Sequence, residues 1–339
     1  MGCADRPRFG SGGTGRGILA DMDESSWHNE YVLASRERML GRTNEVRDAL
    51  RSGELVRVSR GVYRYARART SDEQRQPDDD YLAQIRGAQL RASEPLIVAG
   101  MSAAAAWDLP VVGNWPARVI VAAEREDGGR SNAHLARSYV GYPPPTTTRG
   151  GLLVTTLART VADVARTETF ERAVAVTDAA LRGRATSPTR AGRERTTKGA
   201  VARELQALAG ATGTGRAQAV LAFADAASGS PGESCSRAGI HRLGFPAPQL
   251  QKAFVDSHGQ IGIVDFWWPG CNLVGEFDGR GKYLRDEYAN GRSTAEIVLD
   301  EKRREDRLRA LGLRVVRWGW ADALDLRRLE AKLRAAGLR

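Results

Sequence analysis

The sequence is poor in cysteine and lysine and has no long apolar run. Among 339 residues only Cys3, Cys235 and Cys271 are cysteines, and they are widely spaced. That argues against a disulfide framework and a cysteine-built zinc site, and it fits a reduced, cytoplasmic setting. No apolar run approaches the ~18 residues of a membrane span, so no membrane partner is expected. The opening Met1-Gly2-Cys3-Ala4-Asp5-Arg6-Pro7-Arg8 lacks the apolar segment of a secretory signal. Lys198, Lys252, Lys282, Lys302 and Lys332 are the only lysines, so nearly all of the 51 basic side chains are arginine.

What is present is arginine, a net charge of +10 and 42% hydrophobic residues. The last figure is enough for packed cores, and the length suits two or three domains. Arginine's planar fork matches phosphates and guanine edges, which makes nucleic acid the expected partner. A GC-rich coding sequence produces the same arginine excess.

Residues 1–20 are glycine-rich and read as a disordered tail. Residues 21–66 read as a compact module. Trp27, Tyr31, Val32, Met39 and Leu40 have near-helical spacing over 27–40, and a second helix over 44–51 ends at Gly53. Apolar residues at 55–58 and 62–65 flank Ser59-Arg60-Gly61, a hairpin signal. Helices followed by an arginine-bearing hairpin read as a winged-helix DNA-binding module, with a small structural α/β cap as the other reading. Arg47, Arg51, Arg57, Arg60 and Arg64 are its candidate DNA contacts, mainly to phosphates.

A polar linker follows over 67–80. Residues 81–182 read as a middle α/β domain, with helices over 81–90, 102–109, 158–166 and 170–181. Strands are expected over 95–99, 118–123, 133–140 and 152–156. Asp163 and Asp178 read as solvated or capping acids on helices. Residues 183–229 read as a basic linker and helices, interrupted by a glycine-rich piece at 210–215. That piece lacks the Gly-Lys-Ser/Thr ending of a phosphate loop.

The chemistry concentrates in 230–339. Glu233 lies in the first turn of a helix running to about Leu243, a position where an acid often serves only as a dipole partner. Strands are expected from 253, over 261–266 and over 272–279. Glu276 and Asp278, two residues apart, share one strand face. Asp265 lies on the neighbouring strand, diagonally close to Glu276, unless a one-residue register change reverses its face. Buried carboxylates repel one another unless a cation compensates, and oxygen ligands of this kind suit Mg²⁺ or Mn²⁺. In the other reading Glu276 and Asp278 sit at a sheet edge, paired with arginines of the next helix. A capping box at 293–296 starts that helix, which contains Lys302, Arg303 and Arg304. Its charged run is either a solvated face or a set of cations directed to the acidic strand or to DNA. A last strand over 313–320 and a helix over 325–336 follow.

The order helix, three-stranded meander, helix, strand, helix resembles the PD-(D/E)XK nuclease superfamily, in particular its very-short-patch-repair-like (Vsr-like) endonucleases. The carriers are Pro-Gly-Glu-Ser at 231–234, Val-Asp-Phe at 264–266, Val-Gly-Glu-Phe-Asp-Gly at 274–279, Glu-Lys-Arg-Arg-Glu-Asp at 301–306 and Gly-Leu-Arg-Val-Val-Arg at 312–317. Residues 27–182 resemble AbiEi-like type IV antitoxins through Leu-Val-Arg-Val-Ser-Arg-Gly-Val-Tyr-Arg at 55–64 and Val-Thr-Thr-Leu-Ala-Arg-Thr-Val-Ala-Asp-Val-Ala-Arg at 154–166. Together these imply a multidomain α/β and α+β protein: winged helix, middle α/β domain and a restriction-endonuclease-like α/β/α domain.

The nuclease resemblance implies that Asp265, Glu276 and Glu233 hold Mg²⁺ or Mn²⁺ for phosphodiester hydrolysis. The Lys of the family's Glu-x-Lys is Asp278 here, and no histidine follows Glu276. Lys282 and Lys302 stand as the candidate cations, and Arg303 and Arg304 as further DNA contacts. The function expected is a DNA-binding protein with a metal-dependent endonuclease-like domain. The alternative is a non-catalytic, antitoxin-like transcriptional regulator with a degenerate nuclease domain. A third reading is an RNA-directed role or a cognate toxin protein as partner.

Overall fold

The structure, a computed structural model, describes residues 26–66, 76–123, 131–139, 143–183, 194–279 and 294–339. It is a mixed α/β chain. A 3₁₀ turn at Ser26–Glu30 leads into β1 (Tyr31–Leu33), α1 (Ala34–Met39), α2 (Thr43–Ser52), β2 (Leu55–Ser59) and β3 (Val62–Tyr65). The single helix expected over 27–40 is therefore broken by a strand. Tyr31, Val32 and Leu33 pair with Arg64, Tyr63 and Val62, and Val32 buries against Val46 and Leu55. Cross-strand packing of an aromatic and a β-branched residue overrides the local helical spacing. The sheet order is β1-β3-β2. Gly53 (φ +78°) closes α2 and Gly61 (φ +75°) makes the hairpin turn. Val46 is the buried residue of α2, which leaves Asn44, Arg47, Asp48 and Arg51 exposed along one stripe.

The middle region runs through α3 (Gln76–Arg91), α4 (Gly100–Ala106), β4 (Val119–Ala123), β5 (Leu135–Tyr139), β6 (Thr146–Arg149), β7 (Leu152–Thr155), α5 (Leu157–Thr167) and α6 (Phe170–Arg182). The strand expected over 95–99 shrinks to Val98, which bridges Val121 and Val154. The all-polar β6 has no apolar alternation to announce it and exists by pairing with β7. Two helices, α7 (Lys198–Ala207) and α8 (Thr214–Phe223), flank the glycine-rich piece. Gly213 sits at φ +86°, and a Cβ there would overlap the Arg166 carbonyl.

Asp163 and Asp178 are not solvated. Asp163 on α5 is 1% exposed and lies 3.1 Å from Arg159 and 3.4 Å from Arg166. Burial pushes its carboxyl up to about 6, against the pull of Arg159 and Arg166. The folded protein thus retains a proton that the unfolded chain releases near its ordinary value of 3.8. The stability this contributes is full below about pH 4 and lost as pH rises to about 6. Asp163→Asn, which cannot ionise, should not show this loss. Urea midpoints of the two proteins across that window should diverge with rising pH to the wild type's disadvantage. A constant difference rejects the assignment.

The last part comprises α9 (Pro231–Arg242), β8 (Gln249–Asp256), β9 (Gly259–Trp268), a 3₁₀ turn at Pro269–Cys271, β10 (Leu273–Phe277), α10 (Thr294–Ala310), β11 (Arg314–Trp318), α11 (Trp320–Ala323) and α12 (Leu326–Ala335). The sheet order is β11-β10-β9-β8; β10 and β11 run parallel and the other pairs antiparallel. On one face Ile240 of α9 and Leu329 and Leu333 of α12 pack against Phe266, Leu273 and Trp318. On the other, Leu308 of α10 packs against Val264 and Val274. Ala238 of α9 also belongs to the core that holds Val174 and Val176 of α6, so the middle and last parts share packing. No helix among the described residues is long and apolar enough to cross a membrane.

Candidate carboxylate site and nucleic-acid interface

The start of α9 places Glu233. Ser230 caps the helix, its hydroxyl accepting from the Glu233 N–H at 3.2 Å, and Pro231 fills the first position. A Cβ at Gly232 would overlap the Phe277 ring, so only glycine lets this turn approach β10 so closely. Glu233 is 5% exposed. Its Oε2 accepts from the Gly229 N–H at 2.7 Å and from Gln251 Nε2 at 2.9 Å. The same Gln251 amide reaches Asp265 Oδ1 at 3.4 Å, and Asp265 Oδ2 accepts from the Phe277 N–H at 2.8 Å. Glu233 and Asp265 are thus joined through an amide rather than directly.

The register puts Asp265 and Glu276 opposite each other rather than on a diagonal. Gly275 pairs with Phe266 and Val274 with Trp267, which aligns Glu276 with Asp265. Leu250 pairs with Phe266 and Lys252 with Val264, which aligns Gln251 with Asp265 from the other side. The strands also change face at this row. Leu250 and Phe266 belong to the core under α9, whereas Phe254 and Val264 belong to the core under α10. Gln251, at φ +51°, takes up the change. Glu276, two residues after Val274, faces α10.

There Glu276 meets two guanidinium groups. Arg304 lies 2.6 Å from one of its oxygens and Arg317 3.2 Å from the other. The parallel register sets Glu276 beside Arg317 directly. Arg317 also pairs with Glu301 at 2.6 Å and Glu305 at 3.0 Å, and Arg304 with Glu301 at 3.2 Å. Arg304 reaches the strand because Gly262 has no side chain: a Cβ there would stand 2.7 Å from its Nε. Its guanidinium also donates to the Ile263 carbonyl at 2.9 Å.

The other candidates lie apart. The Asp278 N–H continues the ladder to the Trp318 carbonyl at 2.8 Å, and Asp278 lines a cleft of about 510 Å³ with Trp320, Asp322 and Lys332. Lys332, 2.7 Å from Asp322, holds that carboxyl below its ordinary value. Lys302 and Arg303 are exposed, with Arg303 3.6 Å from Asp300. Lys282 lies outside the described residues. Arg304, expected on DNA, is turned inward to Glu276. Arg64 is engaged with Asp80 on α3 at 2.8 Å. Arg47, Arg51, Arg57 and Arg60 are exposed on α2 and the hairpin, with Arg51 3.2 Å from Asp48.

As arranged, these residues do not fit a divalent cation. Among the described residues no group of three or more His, Cys, Asp or Glu side chains is placed to hold one. Glu276 is already neutralised by guanidinium, and Asp265 is held by an N–H and an amide. Gln251 and Arg317, the partners of these carboxylates, and Glu301 and Glu305, which share Arg317 with Glu276, are not among the residues expected from the sequence. An arginine inside the apolar run Val315-Val316-Arg317-Trp318 is the one signal for a buried acid opposite it.

No protein-family model matches the chain. Two curated relatives are uncharacterized proteins of Mycobacterium tuberculosis, one from strain CDC 1551 / Oshkosh and one from strain ATCC 25618 / H37Rv. Each is 32% identical over 167 residues, covering 46% of this chain and 58% of its own length. The chain therefore spans little more than half the length of the curated relatives to which it is similar.

Proposed function

We propose that this is a DNA-binding protein of regulatory type. In this reading the N-terminal segment is a winged-helix module and the last part is an endonuclease-like framework that carries no hydrolytic metal centre. The observation that carries the second half is the ion pairing of Glu276 with both Arg304 and Arg317, at 2.6 and 3.2 Å. Two guanidinium groups occupy the charge-compensating role a divalent cation has beside such an acid. DNA binding is supported by the β1-β3-β2 sheet, the exposed Asn44–Arg47–Arg51 face of α2 and the exposed Arg57 and Arg60 of the hairpin. These elements offer one helix for a groove and one arginine-bearing turn for the flanking backbone.

A second reading, metal-dependent cleavage, is favoured by Asp278, which is among the residues lining a cleft of about 510 Å³ just beyond β10.

Fluorescence anisotropy on labelled duplexes tests the first reading. Four arginines each neutralising a phosphate give a log–log salt slope of about −3.6, about a hundredfold loss of affinity between about 50 and 200 mM salt. Arg57→Ala/Arg60→Ala should weaken binding by about tenfold or more. Incubation with Mg²⁺ or Mn²⁺ should leave single-stranded, double-stranded and mismatched DNA intact. Nicking abolished by EDTA and by Asp265→Ala/Glu276→Ala would establish the second reading instead. Affinity indifferent to salt would remove the phosphate contacts.

A further inference from the structure

We propose that the junction between the hairpin and the middle region is a binding site for a small aromatic monocarboxylate, and that its occupancy weakens the hold of α3 on the hairpin. A cavity of about 150 Å³ lies there. One wall is α3, where Gln84, Ala88 and Arg91 fall at i, i+4 and i+7 on a single face. The facing wall comes from β4 and β5, with Val119, His134 and Leu135. That wall is rigid. Asn132 Oδ1 accepts the N–H of both His134 and Leu135 at 2.8 Å, and the His134 carbonyl accepts from the Val119 N–H at 2.9 Å. Ser59, at the end of β2, closes the cavity on the hairpin side.

The lining determines the ligand's chemistry. Arg91 has no carboxylate at ion-pair distance among the described residues; its one hydrogen bond runs to the Arg60 carbonyl at 3.1 Å. Neither the Gln84 amide nor the His134 ring has a partner among the described residues. Three donors with unused capacity converge beside alanine, valine and leucine surfaces. Such a lining takes an acceptor-rich anionic group at one end and a single apolar ring at the other. A free inorganic anion satisfies only the first half.

The site bears on the hairpin because α3 carries it. A Cβ at Gly87 would stand 3.2 Å from Val62, so the hairpin rests directly on the helix. Arg64 is tied to Asp80, and Arg91 holds the carbonyl of Arg60 in the turn. A carboxylate on Arg91 competes with that carbonyl and loosens the turn carrying Arg57 and Arg60. This consequence rests on the DNA-binding reading; the site itself does not.

The test is a titration of the full chain with benzoate, read without DNA by ligand-observed NMR, with benzyl alcohol and inorganic phosphate as part-ligands. Saturable millimolar binding is expected for benzoate, with both part-ligands much weaker. Arg91→Gln should weaken it by about tenfold, the worth of one charge-assisted contact. Ala88→Trp, which fills the cavity, should abolish it. Arg91→Gln alters an exposed side chain, so its result stands even if Ala88→Trp fails to fold. No saturable benzoate binding, or equal binding by wild type and Arg91→Gln, overturns the site. Benzoate that binds yet leaves the anisotropy-measured DNA affinity unchanged overturns the coupling. Absence of DNA binding without benzoate sinks the DNA reading alone, because the titration needs no DNA.

Discussion

Replacing Asp178 with alanine is expected to cost the folded protein about 3–5 kcal/mol, the typical penalty for stripping one partner from a buried ion pair. Asp178 on α6 is fully buried, and Arg237 on α9 is 7% exposed. They meet at 2.8 Å, and the other Asp178 oxygen accepts the Asp225 N–H at 2.8 Å. Arg237 also donates to the Phe223 carbonyl at 2.9 Å and lies over the Phe223 ring at 4.0 Å. Burial raises the Asp178 carboxyl and Arg237 opposes the rise. Without the acid, a desolvated guanidinium remains with the Phe223 carbonyl as its one hydrogen-bond acceptor among the described residues. Because α9 also positions Glu233, the loss should loosen the start of that helix as well as the junction. Urea unfolding of the wild type, Asp178→Ala, and the double variant Asp178→Leu/Arg237→Met measures this. The double variant should regain most of the loss, since apolar replacement of both partners removes the unpaired charge. A cost under about 1 kcal/mol for Asp178→Ala would mean that apolar packing, not the ion pair, holds α6 to α9.

That pair marks the limit of what the sequence made legible. Arg159 and Asp163, four residues apart on a helix, are readable as partners from spacing alone. Asp178 and Arg237 lie 59 residues apart, and no local pattern links them. The hairpin of β2 and β3 is legible because glycines mark its start and its turn, Gly53 before β2 and Gly61 between the strands, both at positive φ. β1 is not, because its apolar residues fit helical spacing until the pairing with β3 is known. The order of elements from α9 to α12 is legible from alternating apolar runs and turns, except that the strand expected over 313–320 ends at Trp318 and Trp320 opens the unforeseen α11. The state of its acids is not. Whether Asp265 faces Glu276 depends on the change of face at Gln251, a residue that no turn rule singles out. The alternative that sets Glu276 and Asp278 at a sheet edge, paired with arginines of the following helix, holds only for the pairing of Glu276 with Arg304; β10 is an inner strand. Arg317 joins through parallel pairing of β10 and β11 across some forty residues, a long-range contact invisible to periodicity.

Arg317 is the keystone of that cluster, and Arg317→Ala is expected to destabilise the protein by about 2–4 kcal/mol. Three carboxylates converge on its guanidinium: Glu276 at 3.2 Å, Glu301 at 2.6 Å and Glu305 at 3.0 Å. Arg304 remains bound to two of them, at 2.6 and 3.2 Å, and Glu305 keeps Arg309 at 2.5 Å, so three negative charges face two positive ones. Arg317→Lys should recover only part of the loss, because an ammonium cannot fork between carboxylates as a guanidinium does. The acids of Arg317→Ala, short of one positive charge, offer carboxylate oxygens on adjoining elements, the ligand type a hard divalent cation takes once they repack around it. Mg²⁺ or Mn²⁺ should therefore raise the melting temperature of Arg317→Ala over its value in EDTA and leave the wild type unmoved, because ligand binding stabilises only a fold that offers the site. Thermal melts of both proteins in EDTA and in each metal decide the matter. Equal metal stabilisation of wild type and variant would show that the carboxylates already accept a cation beside Arg317, which returns the case for a hydrolytic centre. A destabilised variant that no metal rescues would keep the ion-pair cluster as a structural element and remove the idea that guanidinium stands where a cation otherwise binds.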